Sequence, residues 1–272
     1  MSISEGGETS SLGIFFQRTT RVIRDGCSAL VWKILLWRFA LATRNIVTLD
    51  DALKFAFSNR FNALITPLQI RSEIQALCDI VSQRRPRTVL EIGTLHGGAF
   101  FLFSRVAAPD AFLISVDLPS EKLKAWRTLC TYMRTREQHV SVIDGDSHAT
   151  STAERVRRVL GSRKVDFLFI DGDHSYEGVR QDFENYIGFL DSSGVVAFHD
   201  INPDHWTRFG KRTSHYGGEV YRFWGEVKMK YSHAECIDNP DQDGFGIGIL
   251  LLGSSSETTR SRSVTHDASP LE

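Results

Sequence analysis

The chain has 272 residues, of which 42% are apolar and 24% charged, and its formal net charge is −1. That balance suits a globular protein with an ample core, and it excludes the strong basic field on which nucleic-acid or polyanion binding relies. The four cysteines, Cys27, Cys78, Cys130 and Cys236, form no C-x-x-C pair, so unpaired thiols in a reducing compartment are expected. Met1 to Gly13 is polar and glycine-rich, without the basic start and apolar run of a secretory signal, so a cytoplasmic location is expected.

Residues 1–11 are poor in apolar side chains and read as disordered. From Leu12 to Ala42 the chain turns apolar and basic. Six Lys or Arg between Thr9 and Val47 face one acid, Asp25. The densest part, Ser28 to Ala42, is too short and too charged to span a bilayer. Its basic residues fall on opposite sides of a helical wheel, which leaves no clean polar face. Residues 12–44 thus read as helix packed on the main domain or on a second subunit, as in a homo-oligomer. A helix lying on a membrane surface is the alternative, since Trp32 and Trp37 suit an interface.

Asp50 to Phe61 reads as a further short helix. Thr66-Pro67 offers an N-cap and a first-turn proline for a helix running to about Gln83, with Ile70, Ile74, Leu77, Cys78 and Val81 on one face. The central stretch follows. Thr88 to Ile92 is a short, β-branched apolar run, as in a strand buried on both faces. Gly93, Gly97 and Gly98 then break the pattern before the apolar helical run Phe100 to Phe103. A strand, a glycine turn and a helix start make a pocket for a small charged metabolite. Glu91 is poorly suited to cradling a pyrophosphate and well suited to an ammonium group.

Strands are expected at Thr88–Ile92, Phe112–Val116, Val140–Ile143, Val165–Ile170 and Gly194–Phe198. Helical patterns lie between them, such as Leu123, Trp126, Cys130 and Met133, and later Val179, Phe183, Ile187 and Leu190. This alternation predicts an α/β fold, Rossmann-like and doubly wound. After a polar loop from Asn202 to Gly217, a helix around Glu219–Met229 leads to a closing antiparallel pair, Ser232–Ile237 and Phe245–Leu252. The sheet is then seven-stranded and mostly parallel with an antiparallel last strand, and helices precede it. The Ser/Thr-rich tail 253–272 reads as disordered. Three parts result: 1–65 with accessory helices, 66–252 as the main domain, and 253–272.

Ligands of such sheets sit beyond the carboxyl ends of the strands. Five successive strands end in an acid: Glu91, Asp117, Asp144 with Asp146, Asp171 and Asp200. Acids gathered at one rim repel unless cations or donors meet them, so a cationic ligand, a metal or both are expected. Asp117 stands where a ribose-binding acid belongs, and Gly145-Asp146-Ser147 fits an adenine edge. Asp171-Gly-Asp-His174 puts carboxylates and an imidazole into one turn, with His199-Asp200 facing it. Carboxylates with little sulfur nearby favour a hard cation such as Mg²⁺.

These motifs together resemble the class I S-adenosylmethionine-dependent methyltransferases over about Thr66 to Leu252. Within that class the chain is similar to the metal-dependent O-methyltransferases related to catechol O-methyltransferase and to the macrolide-sugar and cephalosporin-pathway enzymes. The resemblance implies that Glu91, Gly93, Thr94 and Gly97 hold the methionine part, Asp117 the ribose, and Asp146 and Ser147 the adenine. It implies Asp171 and Asp200 as ligands of Mg²⁺, and it puts His174 in the place of the catalytic base. Two positions depart from the pattern. Ala99 replaces a carboxylate-binding serine, and Ile201 replaces a metal-binding asparagine, so His199, Asn202 or water would complete the coordination.

Methyl transfer from a sulfonium is an in-line displacement, governed by alignment and by making the acceptor oxygen nucleophilic. The expected acceptor is a hydroxyl on a sugar, phenol or other small metabolite or glycoconjugate. A nicotinamide-dependent dehydrogenase or epimerase is the second reading. It wants G-x-G-x-x-G, and no tyrosine here has a lysine four residues on. A non-catalytic binding module anchored through residues 12–44 is the third.

Overall fold

The computed structural model describes residues 29–58, 65–119, 128–135 and 137–253. The expectations for residues 1–28, for 120–127 and for the tail from 254 lie outside these. Helix α1 (Ala29–Thr43) and α2 (Leu49–Ser58) precede α3 (Arg71–Arg84). Then come β1 (Thr88–Ile92), α4 (Gly98–Val106), β2 (Phe112–Asp117), β3 (His139–Asp144), α5 (Thr150–Leu160) and β4 (Val165–Ile170). The chain continues with α6 (Tyr176–Tyr186), β5 (Leu190–His199), α7 (His205–Phe209), α8 (Val220–Val227), β6 (Ser232–Cys236) and β7 (Ile247–Leu251).

The seven strands form one sheet in the order β3-β2-β1-β4-β5-β7-β6. Neighbours from β3 through β5 are parallel, and β7 runs antiparallel to both β5 and β6. Every residue of β1 is buried, as expected of a central strand covered on both faces. Sequence order reverses at β1, between β2 and β4, which opens the crevice where such sheets bind ligands.

The two faces carry separate cores. Side chains of α1 to α4 and Leu129, Cys130 and Met133 cover one face with Val89, Leu113, Phe167 and Phe169. Phe103 of α4 stands edge-on to Phe167 and Phe169, with ring centroids 4.9 and 5.1 Å apart. Helices α5, α6 and α8 cover the other face. There Val220, Phe223, Trp224 and Val227 are all buried, as the periodicity of that segment predicts. Helix α1 packs through Leu36 and Phe39, and the Phe39 ring lies 6.3 Å from that of Phe101 on α4. Its other side leaves Ile34, Trp37 and Leu41 exposed.

Two predicted boundaries are corrected. Leu190, expected on the helical face of Val179, Phe183 and Ile187, begins β5 instead. Helix α3 does not start at Thr66-Pro67 but at Arg71, after Ile70, with no side-chain cap. The reason is tertiary. A Cβ on Gly98 would sit 2.3 Å from the Pro67 nitrogen and 2.5 Å from the Thr66 carbonyl carbon, so this segment runs hard against the start of α4. It is held there as part of the site wall.

Candidate active site

A cavity of about 910 Å³ opens at the carboxyl ends of β1 to β5. Glu91, Asp117, Asp146, Asp171 and Asp200 all line it, so the topology gathers acids from five strand ends. Asp144 does not line it; its backbone carbonyl instead accepts from Arg155.

Glu91 is 1% exposed, and its Oε2 has no hydrogen-bond partner. Burial pushes its carboxyl well above the usual range; the Thr94 hydroxyl pulls it back, and Asp171 and Asp117 raise it further. A buried carboxyl oxygen left without a partner is costly, and a bound cation would relieve it. Gly93, at φ +83°, donates its N–H to the Val116 carbonyl at 2.9 Å. A Cβ there would lie 2.0 Å from the Asp171 carbonyl oxygen, so only glycine fits the turn against the end of β4. Thr94 shares a 2.6 Å hydrogen bond with the Ser115 hydroxyl. Gly97 caps α4 at φ +70° and turns its bare side toward Met133 rather than the cavity.

Asp117 accepts the Leu95 N–H on Oδ2 at 2.6 Å and the Leu118 N–H on Oδ1 at 2.7 Å. Burial raises its pKa and these N–H groups lower it. Each oxygen keeps a lone pair for a diol. Asp146 accepts the His148 N–H at 2.9 Å. Ser147 lies beside it, its carbonyl held from helix α6 by Tyr186 at 3.0 Å.

At the ends of β4 and β5, acids and imidazoles interlock. His174 Nδ1 lies 3.0 Å from Asp200 Oδ2, and its Nε2 lies 3.5 Å from Asp171 Oδ1. His199 Nδ1 lies 3.1 Å from Asp171 Oδ1 and 3.4 Å from Asp200 Oδ2. Burial opposes charge on both rings, but the two carboxylates outweigh it, holding His174 at about 10 and His199 at about 9. Burial likewise pushes Asp171 and Asp200 up, and the histidines outweigh it and hold both below the usual range. Asp200 takes the left-handed conformation at φ +59°, which aims its carboxylate back into the cluster.

Asp171, His174 and Asp200 each offer a ligand atom within 4.8 Å of the others. This donor set, two carboxylates and one imidazole, fits a dication. His199, expected among the ligands, lies beside that group rather than within it.

Three contributors escaped the motif reading. Gln69 donates to Asp171 Oδ2 at 2.7 Å from the wall segment before α3, leaving its buried Oε1 unpartnered. His215 lies with Nε2 3.5 Å from Asp200 Oδ1 and stacks on Phe245 at 4.0 Å. Glu73 of α3, 1% exposed, accepts from Gln242 Nε2 and from the N–H groups of Asp238 and Gly246, at 2.7, 3.1 and 2.9 Å. It thereby holds the loop that carries Phe245.

The sheet order, the glycine turn after β1 and the acid at the end of β2 together define the class I methyltransferase fold. Residues 90–201 match the family described as "Methyltransferase domain". An O-methyltransferase from Bacillus cereus in complex with SAH superposes with a TM-score of 0.54, at 17% identity over 78% of this chain and 95% of that one. The SAH-bound methyltransferase PaMTH1 of Podospora anserina gives 0.51 at 13% identity, covering 93% and 100% of the two chains. The protein y4gI of Sinorhizobium fredii is 27% identical over 178 residues, 64% of this chain. The chain spans 18% and 54% of the lengths of the curated relatives it matches. Among the described residues, no helix is long and apolar enough to cross a membrane.

Proposed function

We infer that the protein transfers a methyl group from S-adenosylmethionine to a hydroxyl of a small acceptor, a sugar, phenol or glycoconjugate. The observation that carries this is Glu91: a buried carboxyl with an unpartnered oxygen, beside the glycine turn and lining the same cavity as Asp117. The methionine ammonium supplies the missing donor, and Asp117 takes the ribose hydroxyls with its remaining lone pairs. Asp146 and the 145–148 loop bound the adenine end. A nicotinamide cofactor would instead bring its pyrophosphate toward the Glu91 carboxylate, which opposes the dehydrogenase reading. The cavity runs on past the acid–imidazole cluster to Ser214–Tyr216, which leaves room for an acceptor there.

A dication, Mg²⁺ among others, would be held by the Asp171 and Asp200 carboxylates, and it would acidify the acceptor hydroxyl. The residues themselves divide the remaining work. Gln69 fixes the Asp171 carboxylate, and His215, stacked on Phe245, fixes Asp200. His174 with both nitrogens against carboxylates is an imidazolium near pH 7 and holds a proton rather than taking one. Once the charge of Asp171 and Asp200 is otherwise met, the cause of its raised pKa is gone. His174 then returns toward the ordinary imidazole range and can accept the hydroxyl proton. The exposed Ile34, Trp37 and Leu41 of α1 are the described part of the face proposed for self-association or membrane contact through residues 12–44.

The test is isothermal titration of the purified chain with S-adenosylmethionine and with NAD, each with and without Mg²⁺. Saturable binding of S-adenosylmethionine alone supports the reading, and binding of NAD alone overturns it.

A further inference from the structure

Helix α6 starts one residue after the acid–imidazole turn: Ser175 caps it, its hydroxyl accepting the Gly178 N–H at 3.0 Å. Its far end is spent on another loop. Gln181 donates to the His148 carbonyl at 3.3 Å, Asn185 to the Ser147 carbonyl at 3.2 Å, and Tyr186 to the same oxygen at 3.0 Å. Between these contacts lies Asp182, 0% exposed, with no hydrogen-bond partner of good geometry on either oxygen. His148 Nε2 lies 3.4 Å from its Oδ1. His148 in turn lines the cavity beside Asp146 and Ser147. A carboxylate in that position is not needed to fill the core, since Val179 and Phe183 do so on the same helix. A buried, imperfectly paired charge costs stability, and here it faces the loop assigned to the adenine.

We propose that Asp182 and His148 act as a positioning pair that latches the Gly145–Ala149 loop to helix α6 and thereby sets the affinity for the cofactor's adenine end. The pair touches the loop, not the methyl group. Because α6 grows out of the turn bearing Asp171 and His174, the same helix ties the adenine loop to the chemical end of the site. Gly172 reinforces the link, since a Cβ there would lie 3.1 Å from Asp182 Oδ2. Burial pushes Asp182 up to about 6; Ser147 and His148 on the loop lower it, and Asp173 and Asp146 raise it. The latch is therefore strongest above that pH, with the carboxylate ionised.

This rests on the cofactor reading above. The experiment is titration of the full chain with S-adenosylhomocysteine from pH 5 to 8, for wild type, Asp182→Asn, His148→Ala and the double variant. Asp182→Asn and His148→Ala should each weaken binding about tenfold at pH 7.5, about 1.4 kcal/mol. The double variant should be no weaker than either single one. The wild-type dissociation constant should rise as pH falls through about 6, and the Asp182→Asn profile should be flat there. Unchanged affinity in both single variants, or strictly additive losses, would overturn the proposal. Amide exchange of residues 145–149 without cofactor gives a second reading. It should quicken in Asp182→Asn without a fall in melting temperature, and unchanged exchange would refute the latch. A wild-type chain that binds no S-adenosylhomocysteine would sink the cofactor reading, and the exchange result would still judge the latch.

Discussion

His174 Nδ1 lies 3.0 Å from Asp200 Oδ2, and that carboxylate also faces His199 and His215. Asp200 thus sits at the centre of three imidazoles, on a left-handed backbone that few side chains tolerate. The arrangement stores electrostatic stability that depends on pH and on what occupies the rim.

The histidine pKa values give the first prediction. A histidine raised from 6.5 to about 10 contributes stability that is fully present below pH 6.5 and lost as pH rises through 10. His199, at about 9, acts in the same direction. Denaturant unfolding in EDTA should therefore show stability declining between pH 7 and 10. Asp200→Asn should flatten that decline and cost about 3–5 kcal/mol at pH 7, since one partner of a buried network is removed.

Cation binding gives the second. Mg²⁺ or Mn²⁺ at a hundredfold excess over its dissociation constant should stabilise the chain by about 2.7 kcal/mol, read as a higher melting temperature that EDTA reverses. Asp171→Asn and Asp200→Asn should abolish the rise while leaving S-adenosylmethionine binding measurable. A rise retained in both variants would place the ion elsewhere.

The glycine turn gives the third. Gly93→Ala would drive a Cβ to 2.0 Å from the Asp171 carbonyl at a positive φ. The turn and the end of β4 cannot both stay in place, so a loss above about 3 kcal/mol is expected, together with loss of cofactor binding. Gly225→Ala is the control, because a Cβ there meets nothing within 4 Å and its φ is not positive.

Glu73 gives the fourth. Glu73→Ala strips three donors of their acceptor and should loosen residues 238–246, with amide exchange quickened there. S-adenosylmethionine affinity should hold within about twofold while acceptor turnover falls, because Phe245 and His215 stand at the acceptor end. Normal turnover with quickened exchange would remove that loop from the acceptor site.

Much of this was legible in the chain. Thr88–Ile92 and Val165–Ile170 read as buried strands and form with those bounds, because short apolar runs flanked by breakers have few other fates. The acids at strand ends reached one cavity for a topological reason: parallel strands put their carboxyl ends on the same side. Gln69 left no local trace, since its partner Asp171 lies 102 residues away. His215 sits in a loop without periodicity, which only the fold brings to Asp200. Asp182 did leave a trace: it falls within the apolar stripe of Val179, Phe183 and Tyr186, where a charge is out of place. The Thr66-Pro67 signal misled because packing against Gly98 outweighs a local cap.

Glu91 offers the most direct test of the central claim. Its pKa is raised by burial, so ionisation near neutral pH costs the cofactor-free fold, and Glu91→Gln should raise the melting temperature. The same variant, titrated calorimetrically with S-adenosylmethionine, should bind at least about a hundredfold more weakly, since the ammonium loses its charged partner. A stabilised variant with weakened binding is the predicted result. Wild-type affinity for S-adenosylmethionine in Glu91→Gln would contradict the account.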